Sequence, residues 1–105
     1  MKEITEQQLK DERYLLYIYT PFCGTCSVAR AMLEKIEAIH DTTIFYEMNA
    51  SYYEDFLHEH KVESVPCLFI KENNAVKEKV YTFYSTGNIY QYLLKYQPEL
   101  FSPTL

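Results

Sequence analysis

Two cysteines, Cys23 and Cys26, stand two residues apart in the stretch Thr20-Pro21-Phe22-Cys23-Gly24-Thr25-Cys26. A thiol pair at this spacing can close into a disulfide and reopen, so the first candidate chemistry is reversible disulfide exchange. The competing chemistry is half of a structural zinc site, which needs four ligands. The remaining cysteine is Cys67, and His40, His58 and His60 form no ligand pair with it. His58 and His60 are two apart on an expected helix and face different ways. Exchange is the reading that the surroundings of the pair favour, and neither a metal nor a cofactor is expected.

Those surroundings are the junction of two elements. Tyr14-Leu15-Leu16-Tyr17-Ile18-Tyr19 is a near-continuous apolar run, which suits a strand buried on both faces. Pro21 stops it. Beyond the cysteines, Val28, Ala29, Met32, Leu33, Ile36 and Ile39 recur at three and four, with Arg30, Glu34, Lys35 and Glu37 between them. That is an amphipathic helix of about four turns ending near His40. A second strand is expected over Ile44–Met48, joined to the first by a right-handed crossover and therefore parallel to it.

Around this unit the chain reads simply. Thr5 to Gln8 fits a capping box, so a short helix is expected over Glu6–Glu12, and Ser51 to Glu54 fits a second, opening a helix to about His60. Val65-Pro66 opens a third strand, Cys67–Ile70. Asn73-Asn74 marks a tight turn, since Asn tolerates positive φ, and Val76–Phe83 then returns as a fourth strand. Ser85-Thr86 can cap a last helix that Pro98 ends, leaving Glu99–Leu105 as a surface tail. The fold class is α/β: one domain over 1–105, with a mixed four-stranded sheet flanked by four helices on both faces.

Bulk properties exclude several classes. The 105 residues suffice for a single core, and 48% apolar with 24% charged residues is ordinary for a globular chain. No apolar run approaches the ~20 residues of a membrane span, and the polar start Met1-Lys2-Glu3 shows no secretory segment. A cytoplasmic monomer with thiols at rest mostly reduced is expected, without membrane contact. The net charge of −5 with interspersed signs argues against nucleic acid. Eleven Tyr and six Phe with no Trp suit amphipathic residues at the core edge.

The element order, Cys23-Gly24-Thr25-Cys26 after the first strand, and Val65-Pro66 about forty residues on together resemble the thioredoxin family, over roughly Glu3 to Tyr96. The resemblance implies a thioredoxin-like fold and a cis Val65–Pro66 bond beside the sulfurs that presents backbone to a substrate segment. Cis X-Pro bonds are uncommon enough to carry a specific role. It also implies protein disulfides as substrates, with a flavoprotein reductase or low-molecular-weight thiol as electron donor.

Cys23, at the start of its helix, faces unpaired amides and the positive end of the dipole, which favour a thiolate. Cys23 is thus the expected attacking residue, and Cys26, one turn in, the resolving one. Gly24 is expected to let the backbone turn tightly. Several positions depart from the family pattern. Tyr17 stands where thioredoxins keep a buried Asp that helps deprotonate the resolving Cys, and Glu47 stands where its Lys partner would be. Either Glu47 takes over as proton acceptor for Cys26, or it is an ordinary half-exposed strand residue. Phe22, where Trp is common, is either an aromatic wall beside Cys23 or plain packing. Cys67 is either an accessory thiol, through an alternative disulfide or glutathionylation, or a small buried apolar residue.

Three functions compete: a general reductant of protein disulfides; a glutaredoxin-like enzyme on small-thiol mixed disulfides, for which only Lys61 offers a cationic contact; and a binding module whose thiols are incidental. Thr25 replaces the Pro usual in thioredoxins and changes the helix start. A more oxidising Cys23–Cys26 couple than that of a thioredoxin with Pro there is therefore expected, and a redox titration giving about −270 mV or lower contradicts it.

Overall fold

The computed structural model describes residues 1–101. The element over Tyr14–Tyr19 is the central strand, β2, and all but its last residue are buried. Its alternation splits the core in two. Leu15 and Tyr17 pack with Ala29, Leu33 and Ile36 of the helix after the cysteines and with Ile89 and Leu93 near the C-terminus. Tyr14, Leu16 and Ile18 pack on the other side with Met48, Ala50 and Phe69. A strand clamped from both sides cannot slip register without exposing one set, so its end is a fixed platform for Cys23.

The sheet has five strands rather than the four expected, in the order β1-β3-β2-β4-β5. Added at the edge is β1, Lys2–Glu3, parallel to β3, Tyr46–Asn49. β2 lies parallel to β3 and antiparallel to β4, Cys67–Glu72, which pairs antiparallel with β5, Ala75–Val80. Asn73 and Asn74, at φ 51° and 62°, make the turn between the last two strands. Among the described residues the α-helices are three, not four: α1, Gly24–His40; α2, Glu54–Glu59; and α3, Thr86–Tyr96. α1 and α3 cover one face, α2 the other.

The differences from the sequence reading have local causes. The first capping box forms in both directions, Thr5 N–H to Gln8 Oε1 at 3.0 Å and Gln8 N–H to Thr5 Oγ1 at 3.1 Å. The helix it opens is only the 3-10 turn Gln8–Lys10, because the chain must reach β2. The second box does not form: Asn49 Oδ1 takes the Ser51 N–H at 2.9 Å and nucleates a 3-10 turn, Ala50–Tyr52, so α2 begins at Glu54. On α1, Val28 and Ile39 are 58% and 61% exposed, since the sheet covers a narrower stripe than the apolar residues span. Ser85 caps α3 as expected, accepting the Asn88 N–H at 3.2 Å. The tail turns through Pro98–Phe101, and the rest of it, 102–105, lies outside the described residues.

β3 starts two residues after Ile44 because its approach is tied to α1. Glu37, near the end of α1, accepts the N–H groups of Ile44 at 2.8 Å and Phe45 at 3.0 Å, and binds the Met1 amine at 3.0 Å. Phe45 is buried, so its amide has little access to water. Glu37→Ala should therefore cost about 2 kcal/mol, the penalty of unsatisfied buried donors. Urea unfolding should show a lower midpoint at unchanged slope. A loss below about 0.5 kcal/mol would mean that these amides find other partners.

Candidate active site

Thr20 and Pro21 end the platform strand, and Cys23 follows as the N-cap of α1 with extended backbone, φ −122° and ψ 108°. The first turn of any helix leaves amides without intrahelical partners, and an Ncap side chain usually supplies an oxygen to one of them. Here the acceptor is sulfur: the Cys26 N–H donates to Cys23 Sγ at 3.1 Å. The Thr25 hydroxyl lies 3.4 Å from the same sulfur. Cys23 and Cys26 are joined as a disulfide, with Cα atoms 5.1 Å apart. Cys23 is half-buried and Cys26 buried, so a partner molecule meets the first sulfur before the second.

The helix starts at Gly24, directly after its N-cap Cys23, which puts both sulfurs at its first turn. Gly24 itself has no positive φ, and a Cβ there would meet nothing within 4 Å. Thus the tight turn expected to require glycine does not require it.

The Val65–Pro66 bond is cis. Val65 and Pro66 meet Thr25, Val28, Phe83 and Tyr84 around a groove of about 410 Å³ with mostly apolar walls. The groove exists because β5 stops at Val80 and not at Phe83, freeing residues 81–84 as a loop. Tyr81 also lines it, and its hydroxyl accepts the Glu63 N–H at 3.1 Å, tying down the loop that carries Val65. Phe22 is 103% exposed, so plain packing is not its role here; its ring stands in solvent next to Cys23.

Cys67 follows Pro66 into β4. It is fully buried on the α2 side of the sheet, against Ile18, Met48 and Phe69, whereas α1 covers the opposite face. Burial pushes its thiol up to about 12, against the smaller opposing effects of Lys79 and the Tyr81 hydroxyl. Of the two readings open for Cys67, its full burial in the second core favours the small apolar residue over the accessory thiol.

Behind Cys26, Glu47 and Tyr17 are joined by Arg30, which was not singled out from the sequence. Glu47 pairs in register with Tyr17 across β3 and β2. Arg30 reaches from α1 and binds both Glu47 oxygens, at 3.2 Å each. Its guanidinium lies 4.7 Å from the ring centre of Tyr19 and 5.4 Å from that of Tyr17. The Tyr17 hydroxyl donates to the Cys26 carbonyl at 2.6 Å. Burial raises the Tyr17 phenol to about 12, with Arg30 acting in the opposite sense, so it stays protonated at neutral pH. Two signals in the sequence point to this cluster: Arg30 follows Cys26 by four, one turn on the same helix face, and Tyr17 and Glu47 sit at matching places in consecutive parallel strands.

Comparison with known proteins now decides the family. The thioredoxin family model matches residues 2–95. The chain belongs to the thioredoxin family. It is 38% identical over 94 residues to the thioredoxin-like protein YusE of Bacillus subtilis (strain 168), a match covering 87% of this chain and 89% of that one. Its fold is similar to that of a mutant thioredoxin from Halobacterium salinarum NRC-1, with TM-score 0.75 at 15% identity, over 91% of this chain and 88% of that one. It is similar also to the oxidised thioredoxin of Plasmodium falciparum, with TM-score 0.71 at 13% identity, over 90% and 96% of the two chains. A redox-type cysteine pair in a thioredoxin-family chain supports thiol-disulfide exchange as the general class of chemistry. Among the described residues no helix is long and apolar enough to cross a membrane.

Proposed function

We propose that this chain is a thiol-disulfide oxidoreductase that reduces protein disulfides in the cytoplasm, with Cys23 attacking and Cys26 resolving. The observation that carries this reading is the Cys26 N–H aimed at Cys23 Sγ from the first turn of α1. Negative charge on Cys23 is favoured there by a charge-assisted hydrogen bond and by the positive end of the helix dipole. In the reduced protein the Cys23 thiolate attacks a substrate disulfide. A Cys23–substrate bond forms, and the first substrate sulfur leaves as a thiolate that takes a proton from solvent. Cys26 then loses its proton and attacks Cys23 Sγ, closing the Cys23–Cys26 bond and releasing the second substrate sulfur. Two electrons pass from the dithiol to the substrate, and a flavoprotein reductase or low-molecular-weight thiol restores them.

The groove supports a protein substrate over a small thiol. An extended segment laid across Val65 and Pro66 finds apolar walls in Val28, Phe83 and Tyr84. Exposed Phe22 adds ring surface on the far side of Cys23. A tripeptide thiol would call instead for cationic contacts, and the residues around this groove carry no charge.

Insulin reduction in the presence of a dithiol reductant checks the reading. The native chain should accelerate it, and Cys23→Ser should fall to the uncatalysed background. Cys26→Ser should stall as a Cys23 mixed disulfide with the substrate. Full activity in Cys23→Ser would make the thiols incidental, and turnover of a glutathione mixed disulfide in place of insulin would move the chain to the glutaredoxin-like reading.

A further inference from the structure

Cys26, Tyr17, Tyr19, Pro21, Ser27 and Arg30 line a cleft of about 100 Å³ that runs behind the disulfide, away from the substrate groove. At ~30 Å³ per molecule it has room for about three waters. Pro21 and Ser27 are exposed, so it opens at the surface. Resolution requires the Cys26 thiol to lose its proton while the substrate covers the groove side, and this cleft is the side on which Cys26 meets an opening to the surface.

We propose that Arg30 is a positioning residue for the resolving step: its guanidinium supplies the positive charge that favours a Cys26 thiolate across the cleft, and Glu47 holds Arg30 rather than receiving the Cys26 proton. The inference rests on the assignment of Cys26 as the resolving thiol. Its geometry is over-determined. Arg30 is gripped by Glu47 on one side and by the faces of Tyr17 and Tyr19 on the other, and the Tyr17 hydroxyl fixes the Cys26 backbone. Glu47 does not line the cleft, and both of its oxygens are engaged by Arg30. A proton on either oxygen would break a hydrogen bond to Arg30.

The other titratable and charged groups around the cleft do not replace Arg30. Tyr17 and Tyr19 on β2 are both raised by burial and remain neutral phenols at neutral pH. Glu3 on β1 and Glu47 on β3 act on Tyr19, and Glu34, one turn beyond Arg30 on α1, acts on Tyr17; all three are anionic and oppose a thiolate. Phe83, beyond β5, meets the edge of the Tyr17 ring and is uncharged. Arg30 is thus the cation of this cluster. In the step itself, Cys26 gives its proton to cleft water. Its sulfur attacks Cys23 Sγ, the Cys23–substrate bond breaks as the Cys23–Cys26 bond forms, and the substrate sulfur carries away the electron pair.

The test is a titration of Cys26 in full-length Cys23→Ser protein carrying ¹³Cβ-labelled cysteine, where Cys67 is the only other thiol. It needs no substrate, so it stands even if the chain proves inactive on protein disulfides, which would overturn only the assigned function. Arg30→Met, which keeps much of the packing, should leave about tenfold less Cys26 thiolate near neutral pH. Arg30→Lys should restore most of it, which a purely steric role would not allow. Glu47→Gln removes an opposing carboxylate and should leave the thiolate fraction equal or higher. A Cys26 titration unmoved by Arg30→Met, or a thiolate fraction lowered by Glu47→Gln, would overturn the proposal. The pH profile of mixed-disulfide resolution in the native background should shift the same way: to higher pH in Arg30→Met and not in Arg30→Lys.

Discussion

One backbone amide, the N–H of Cys26, points at the sulfur of Cys23, and much of the fold serves to keep it there. The geometry is that of an ordinary helix cap with sulfur in place of oxygen. A cap oxygen is content to be neutral; a cap sulfur at this position is stabilised further by ionising. On the proposed function, a routine structural need, an acceptor for the first-turn amides, becomes a bias on the charge state of the reduced Cys23. That bias survives only if the start of α1 is immobile. β2, packed from both faces, holds the chain ahead of Cys23, and the Tyr17 hydroxyl pins the carbonyl of Cys26 behind it.

The two faces of the sheet divide the labour. The α1 side holds Cys26, the Tyr17–Arg30–Glu47 cluster and the cleft behind the disulfide. The α2 side is hydrocarbon and aromatic packing, and Cys67 is part of it. Their meeting point is Val65–Pro66, where the chain enters β4 and forms one wall of the groove. Tyr17, behind the disulfide, is kept protonated by burial and offers no base at neutral pH. The charged group that lines the cleft shared with Cys26 is Arg30, held by Glu47 and by the rings of Tyr17 and Tyr19.

Much of this was legible in the sequence wherever one local cause dominated. The apolar run of β2, the three-and-four periodicity of α1, the Asn73-Asn74 turn and the Ser85 cap each depend on neighbours within a few residues. Their physics is written in the same stretch of chain. β1 was not legible, because Lys2 and Glu3 show no apolar alternation and become a strand only by pairing with Tyr46 and Glu47. The second capping box failed because Asn49, two residues ahead of Ser51, captured its amide first. Arg30 looked like one more solvent-facing charge on a helix. Its partner is seventeen residues away, and only the parallel register of β2 and β3 brings the carboxylate beneath it. The groove likewise depended on where β5 would stop, which local preference does not decide.

The central claim is that the helix start holds Cys23 as a thiolate near neutral pH, and the acidity of that one thiol in the reduced native protein tests it most directly. Following the rate of Cys23 alkylation against pH should give a pKa well below the ~8.5 of a free cysteine, rising toward that value when the chain is unfolded in urea. A native pKa at or above ~8.5 would contradict the account, because the amide aimed at the sulfur would then be doing nothing to its charge.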